Sequence, residues 1–305
     1  MNDLTLSGKF ALISLNGVQV TETPGIGPLR ERCLAAARFF EFILDDKMVK
    51  INNRYCFIYD APETFDENGK FVYGMLKEKG INGHTISEWV DFLAGVPQEP
   101  CARWADQFTA GLVEDGLVDV IPSLLALDLN HRVSGTGLKQ YRASYSEYHR
   151  LLQQIREEIR DNETVSDETV FLLWLLKQSG DLRNVISPEA AGRAGEFGPG
   201  QNLSGATMGI SQVGEKEKRG FLSKRTALHK SDSIFIETNK MFVNADERIA
   251  DAKALLESKG HICEIKKTGQ IAVAEIDNIL YELIPDAVRV KVLNVHGVRL
   301  RRYME

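Results

Sequence analysis

Ile43-Leu-Asp-Asp-Lys-Met-Val-Lys-Ile51 and Leu112-Val-Glu-Asp-Gly-Leu-Val-Asp-Val120 line up residue for residue. Each runs from the apolar end of a helix, through an acidic turn, into a strand of alternating character. A return strand is predicted for both: Tyr55–Tyr59 after an Asn52-Asn53 turn, and Leu124–Leu129 after Pro122-Ser123. Apolar residues at helical spacing precede each pair, over Leu4–Leu15 and Pro28–Leu44 in the first case and Pro100–Val113 in the second. Helix, helix and two-stranded ribbon, repeated, is the local grammar of winged-helix units. The N-terminal part is therefore expected to be mainly α with short β-hairpins.

Working outward, Thr85-Ile-Ser-Glu88 reads as a capping box that opens a short helix through Trp89 and Leu93, with Gly95 as its stop. Further helices are predicted over Ser144–Asp161 and Ser166–Gln178, the last capped by Ser166. Residues 187–225, with Pro188, Pro199 and a run of glycines, lack apolar periodicity and read as a linker. Residues 1–186 then form one domain and 226–305 a small α/β or α+β domain. In the latter, Ile234–Ile236, Met241–Val243 and His261–Lys266 are predicted strands, and Asn244 caps a helix running to Lys259. A second helix is predicted over Val273–Leu283. Val288–Leu293 and Val298–Tyr303 are predicted to form a terminal hairpin about Asn294-Val-His-Gly297.

Composition narrows the function. The chain has 305 residues, net charge −6 and 43% hydrophobic residues, enough for a sizeable core. Its longest apolar run, Phe171-Leu-Leu-Trp-Leu-Leu176, falls far short of the ~20 residues of a membrane span. The acid at Asp3 argues against an export signal, so a cytoplasmic location is expected. Residues 1–190 hold 19 basic against 28 acidic side chains, and residues 191–305 hold 18 against 15. General attraction to nucleic acid is disfavoured by that balance, although Lys216–Lys230 is a local basic run. Cys33, Cys56, Cys101 and Cys263 show no paired spacing, and the six histidines show no metal-ligand spacing, so neither disulfide nor metal is expected. No nucleophile elbow, phosphate loop or paired catalytic carboxylates stand out, and neither catalysis nor a cofactor is expected.

What remains is arginine beside apolar elements. Arg30 and Arg32 open one helix, and Arg103-Trp104 opens another, offering guanidinium groups that grip phosphate bidentately together with an aromatic ring. The second hairpin is unusually apolar: Ile121, Pro122, Leu124 and Leu125 are candidates for contact with a bilayer or a second copy.

An ordered series of features resembles the Golgi phosphoprotein 3 family over residues 4–186. Its members are Leu4-Thr-Leu6, Phe40-Glu-Phe-Ile-Leu44, Asp60-Ala-Pro62, the Trp89 helix, Gly111–Leu117, Leu124–Leu129 and the leucine-rich stretch from Phe171 to Ile186. The resemblance implies a mostly helical fold, phosphoinositide head-group binding, reversible attachment to a membrane's cytoplasmic face and self-association, without catalysis. The family's pocket carries a tryptophan and an arginine before the long helix, where Ile26 and Ala35 stand here, and an Arg-x-x-Arg on the later helix, where only Arg103 stands. Two rival readings follow from the residues themselves: a protein-interaction adaptor that self-associates through the apolar hairpin, and a winged-helix regulator that contacts nucleic acid through residues 216–230.

Overall fold

A computed structural model describes residues 4–21, 25–58, 65–78, 83–129, 137–161, 165–186, 233–238, 244–269, 271–290 and 293–303. The linker expected at 187–225, the basic run 216–230 and the strand expected at Met241–Val243 lie outside the described residues. Those described form an α+β structure of two compact units. The first contains the described residues up to Leu15, those of Thr21–Val118 and those from Ala143 to Ile186. The second contains Asn16–Val20, Asp119–Arg142 and the described residues from Ser233 onward. Two segments that precede residue 186 thus belong with the C-terminal sheet.

The first unit is helical. Its centre is α1 (Leu6–Leu15), buried on every side, against α2 (Pro28–Leu44) and α7 (Asp167–Ser179). Its few polar residues are buried too, Lys9 against Glu168 at 2.7 Å, so α1 offers no solvent face and is the core of its unit. Phe40 of α2 stacks on Phe171 of α7 with ring centroids 4.2 Å apart. The predicted caps are present: Thr85 and Glu88 form the capping box of α4 (Ile86–Ala94), and Ser166 accepts from the Thr169 N–H at the start of α7. Helix α7 stops at Gly180, whose φ of 85° is left-handed, where glycine has no Cβ penalty. Three helices complete the unit: α3 (Glu67–Lys77), α5 (Gln98–Glu114) and α6 (Tyr145–Asp161). Helix α3 has no counterpart among the sequence expectations.

Within this apolar centre sits a buried ion pair, Arg38–Glu41, that reaches the surface at Asp66. Glu41 of α2 accepts hydrogen bonds from the Ser7 N–H (2.6 Å) and Ser7 Oγ (2.7 Å), so it caps the first turn of α1. Arg38, one turn earlier, pairs with both Glu41 and Asp66, and Asp66 is itself the N-cap of α3. Three helices are tied by one guanidinium and two carboxylates.

The first ribbon forms as expected. Strands β2 (Met48–Ile51) and β3 (Arg54–Phe57) pair antiparallel about Asn52-Asn53, both at positive φ as a type I′ turn requires. The second does not. Strand β4 (Val118–Pro122) joins β1 (Gln19–Val20) and β5 (Lys139–Ala143) in the order β1-β5-β4, and Leu124–Leu127 turns as a short 3-10 helix instead of returning as a strand.

In the second unit, a five-stranded antiparallel sheet has the order β6-β10-β9-β8-β7 and packs against α8 (Ala245–Ser258). Its strands are β6 (Ser233–Glu237), β7 (Cys263–Lys267), β8 (Ala272–Ile276), β9 (Ile279–Val290) and β10 (Leu293–Arg302). The helix expected over Val273–Leu283 is therefore two strands, joined at Asp277-Asn278, again both at positive φ. Asn294–Gly297, expected as a turn, lies within β10, which begins its pairing with β9 at Leu293↔Val290. Gly297 is there by necessity: a Cβ would lie 2.2 Å from the Ile236 carbonyl oxygen.

We expect Glu41→Ala to remove about 3 kcal/mol, because it leaves buried Arg38 with Asp66 alone and takes the acceptor from both Ser7 donors. Urea unfolding followed by α-helical signal should show that loss in the first unit, with the sheet unit's transition unmoved.

Candidate functional site

The four head-group candidates occupy different surroundings within the first unit. Arg30 is committed: its Nε and Nη2 donate to the two Asp181 oxygens at 3.1 and 2.7 Å. A phosphate there must displace a carboxylate already in bidentate geometry. Glu31, between the two arginines, does not compensate them. It is buried and turns back to accept from the Gly27 N–H and the Gln98 amide, and burial raises its pKa. Arg32 is half-buried and has no ion pair among the described residues. Arg103 is exposed and pairs with Glu99 one turn back on its own helix, at 2.5 Å. Trp104 points the other way, into the core, stacked on Phe71 with its Nε1 donating to Asn68. Neighbours in sequence, Arg103 and Trp104 share no surface.

The apolar stretch after β4 is also spent internally. Ile121 and Leu124 are buried, Leu125 is half-buried, and only Pro122 is exposed. Leu124 and Leu127 join Ile236, Leu256, Leu283 and Val298 in the core of the sheet unit. The backbone is fixed there too: Asp128 accepts from the Phe235 N–H, and the Leu129 N–H donates to the Phe235 carbonyl, each at 3.2 Å.

Exposed aliphatic side chains include Val120 of β4, Ile262 and Ile271, and three more gather on the β2–β3 ribbon. Its inward side is Met48, Tyr55 and Phe57, with Phe57 against Phe42, Tyr73 and Trp89. Register places Val49 opposite Cys56 and Ile51 opposite Arg54 on the other side. Val49 is 41% exposed, Ile51 54% and Ile58 44%. Arg54, on their side, donates to the Gly83 carbonyl, while Lys50 stands on the opposite side over the Tyr55 ring and has no carboxylate partner among the described residues. Sequence reasoning passed over this face because the ribbon was read only for its turn. The alternation Met48-Val-Lys-Ile51 already puts two β-branched aliphatics on one side and no polar residue between them.

Beside the ribbon, the Tyr55 N–H donates to the His84 carbonyl at 2.7 Å, and Trp89 Nε1 donates to the Tyr55 carbonyl at 3.3 Å. This places the start of α4 along the open edge of β3. An open groove of about 500 Å³ runs along α4, lined by His84, Glu88, Trp89, Asp91, Phe92 and Gly95. The Thr85 N–H holds the Glu88 carboxyl below its usual range, and the His84 ring rests edge-on against Trp89. The groove is thus acidic and aromatic, while the ribbon is aliphatic and cationic.

Among the described residues, no group of three or more His, Cys, Asp or Glu is arranged to hold a metal ion, and no helix is long and apolar enough to cross a membrane. No family model matches the chain, and no curated protein matches it in sequence.

Burial pushes the thiols of Cys33 and Cys101 up to about 12 and that of Cys263 to about 11. At a pH near the ordinary thiol value of ~8.5, these three hold a thiolate fraction lower by roughly two to three orders of magnitude. Iodoacetamide labelling of the folded protein, located by mass spectrometry, should modify Cys56 first, since it is the half-buried one on the ribbon's outward side. The other three should follow only on unfolding.

Proposed function

We propose that the chain is a non-enzymatic module that attaches reversibly to an anionic lipid surface, and that the β2–β3 ribbon makes the contact. One observation carries this reading: the ribbon's outward side leaves Val49, Ile51 and Ile58 about half exposed, with Arg54 on the same side and Lys50 on the opposite one. A bilayer interface with anionic head groups satisfies both parts of such a surface. Each of the three aliphatics still has about half of its ~1.5–3 kcal/mol transfer free energy to gain, and each cation adds ~1 kcal/mol near an anionic leaflet. A sum of a few kcal/mol supports attachment that forms and releases.

The resemblance to the Golgi phosphoprotein 3 family supports the same direction, with phosphoinositide head groups as the preferred anion and winged-helix units as the framework. Arg32, free of ion pairs among the described residues, is the head-group candidate that this reading retains. Nucleic acid suits the ribbon less well, because Val49 and Ile51 would face a polyanion that needs cations and hydrogen-bond donors at the contact.

Co-sedimentation with phosphatidylcholine vesicles, alone or with phosphatidylserine or phosphatidylinositol-4-phosphate, tests the proposal. Wild-type chain should pellet with anionic vesicles and remain in the supernatant with neutral ones. Ile51→Asp should weaken binding at least tenfold, and Lys50→Glu should weaken it and flatten its salt dependence. A preference for the phosphoinositide that disappears in Arg32→Ala assigns the head group. Pelleting unaffected by Ile51→Asp would overturn the ribbon as the contact, and absence of any pelleting would overturn the function.

A further inference from the structure

The outer edge of β2 is a row of backbone groups without partners among the described residues, and we infer that it receives an extended segment of another protein as an added antiparallel strand, one in which aliphatic residues flank an acidic one. The parity of the ribbon fixes which groups face out. The Tyr55 N–H donates to the His84 carbonyl and the Tyr55 carbonyl accepts from Trp89 Nε1, so Tyr55 bonds away from β2. Lys50, directly opposite Tyr55, is then in a non-bonded pair of the ladder, and its N–H and C=O point away from β3. Met48, two residues before it, repeats that orientation. The Ile58 N–H, donating to the Lys47 carbonyl at 3.1 Å, lies on the bonded parity and agrees. Val49, Lys50 and Ile51 are all exposed, so the edge is open to solvent.

Elsewhere in the chain strand edges are guarded. The far edge of β3 is taken by His84 and Trp89, and that of β6 by Asp128 and Leu129. Strand β7 carries a bulge between Ile265 and Lys267 and charges at Glu264, Lys266 and Lys267. Strand β2 has Lys50 alone, and its alternation specifies the guest. A paired residue shares the face of the residue it opposes, so a guest residue opposite Lys50 stands on the Lys50 side, and its two neighbours stand beside Val49 and Ile51 on the other. Lys50 has no carboxylate partner among the described residues, which calls for an acid there. Val49 and Ile51, about half exposed, call for aliphatic carbon. Charge also selects against a second copy. Within β2 only Met48 and Lys50 turn their backbone outward, so a copy sets either a methionine or a like charge opposite Lys50. The added strand lies along the ribbon's edge, and the contact does not rest on the lipid reading.

Fluorescence anisotropy of a labelled, end-capped peptide Gly-Ser-Val-Glu-Val-Ser-Gly, titrated with the full chain in the absence of lipid, tests this. Saturable binding is expected. Methylating the glutamate amide nitrogen removes the donor to the Lys50 carbonyl and leaves every side chain in place, and it should weaken binding at least tenfold. Lys50→Glu should weaken binding of the Val-Glu-Val peptide about fivefold and favour the corresponding Val-Lys-Val peptide by a similar factor. Lys50 is exposed, and circular dichroism verifies that the variant folds. Absence of saturable binding up to sub-millimolar chain would overturn the inference, as would equal binding of the methylated peptide or indifference to Lys50→Glu. Sedimentation velocity showing a dimer that the peptide dissociates would place a second copy at the edge and overturn the assigned guest. Vesicle pelleting is read with no peptide present, so either proposal can fail alone.

Discussion

The carboxylate of Glu41 is the constraint on which the helical unit depends. It lies in an apolar interior, where an ionised group without partners costs several kcal/mol. Its position is acceptable because two donors of Ser7 and the Arg38 guanidinium meet it there. Those same contacts cap α1, and through Asp66 they set the start of α3. The end of α2, one residue turn beyond Glu41, leads directly into the ribbon, and Phe42 next to it is one of the rings on which Phe57 rests. The orientation of the ribbon thus follows from a charge that had to be neutralised in the core.

Much of this unit was legible in sequence because its signals are local. The Thr85/Glu88 capping box, Ser166 before α7 and Asn52-Asn53 between β2 and β3 each act within four residues, and each forms as the local chemistry dictates. The failures are equally physical. Val273–Leu283 contains apolar residues that satisfy a helical period, but Asp277 and Asn278 take left-handed φ and break the run into β8 and β9. What holds that turn is distant: Asp277 accepts from the buried ring of His261 at 2.6 Å and from the Ile262 N–H at 3.0 Å. Helix α3 was missed because Gly69 and Gly74 dilute its apolar face, while its N-cap, Asp66, was available to be read. Leu124–Leu129 is an apolar run that follows a turn as a return strand would, yet Leu124 and Leu127 are claimed by the sheet unit's core, a tertiary demand that outweighs strand propensity.

The candidate site divides along the same line. Trp104 falls on the buried stripe of α5 with Cys101 and Ala105, and Arg103 has Glu99 four residues before it; helical spacing alone separates the two. Arg30 could not be judged that way, since Asp181 lies 151 residues away in the chain. The exposed side of the ribbon was written in Met48-Val-Lys-Ile51, but which side faces outward depends on Phe57 and Tyr55 finding the aromatic core.

That dependence bears on why the ribbon's outward side is apolar. Met48, Tyr55 and Phe57 supply the packing that holds the ribbon to the helices, so Val49 and Ile51 contribute little to folding and polar residues there would cost the fold almost nothing. A short two-stranded ribbon with open edges and bare aliphatics is an association hazard, which charged residues on the same side ordinarily remove. Here Arg54 stands on that side opposite Ile51, at the turn end of the ribbon, while Val49 faces the uncharged Cys56. An apolar face kept where folding does not require it is best explained by something that covers it.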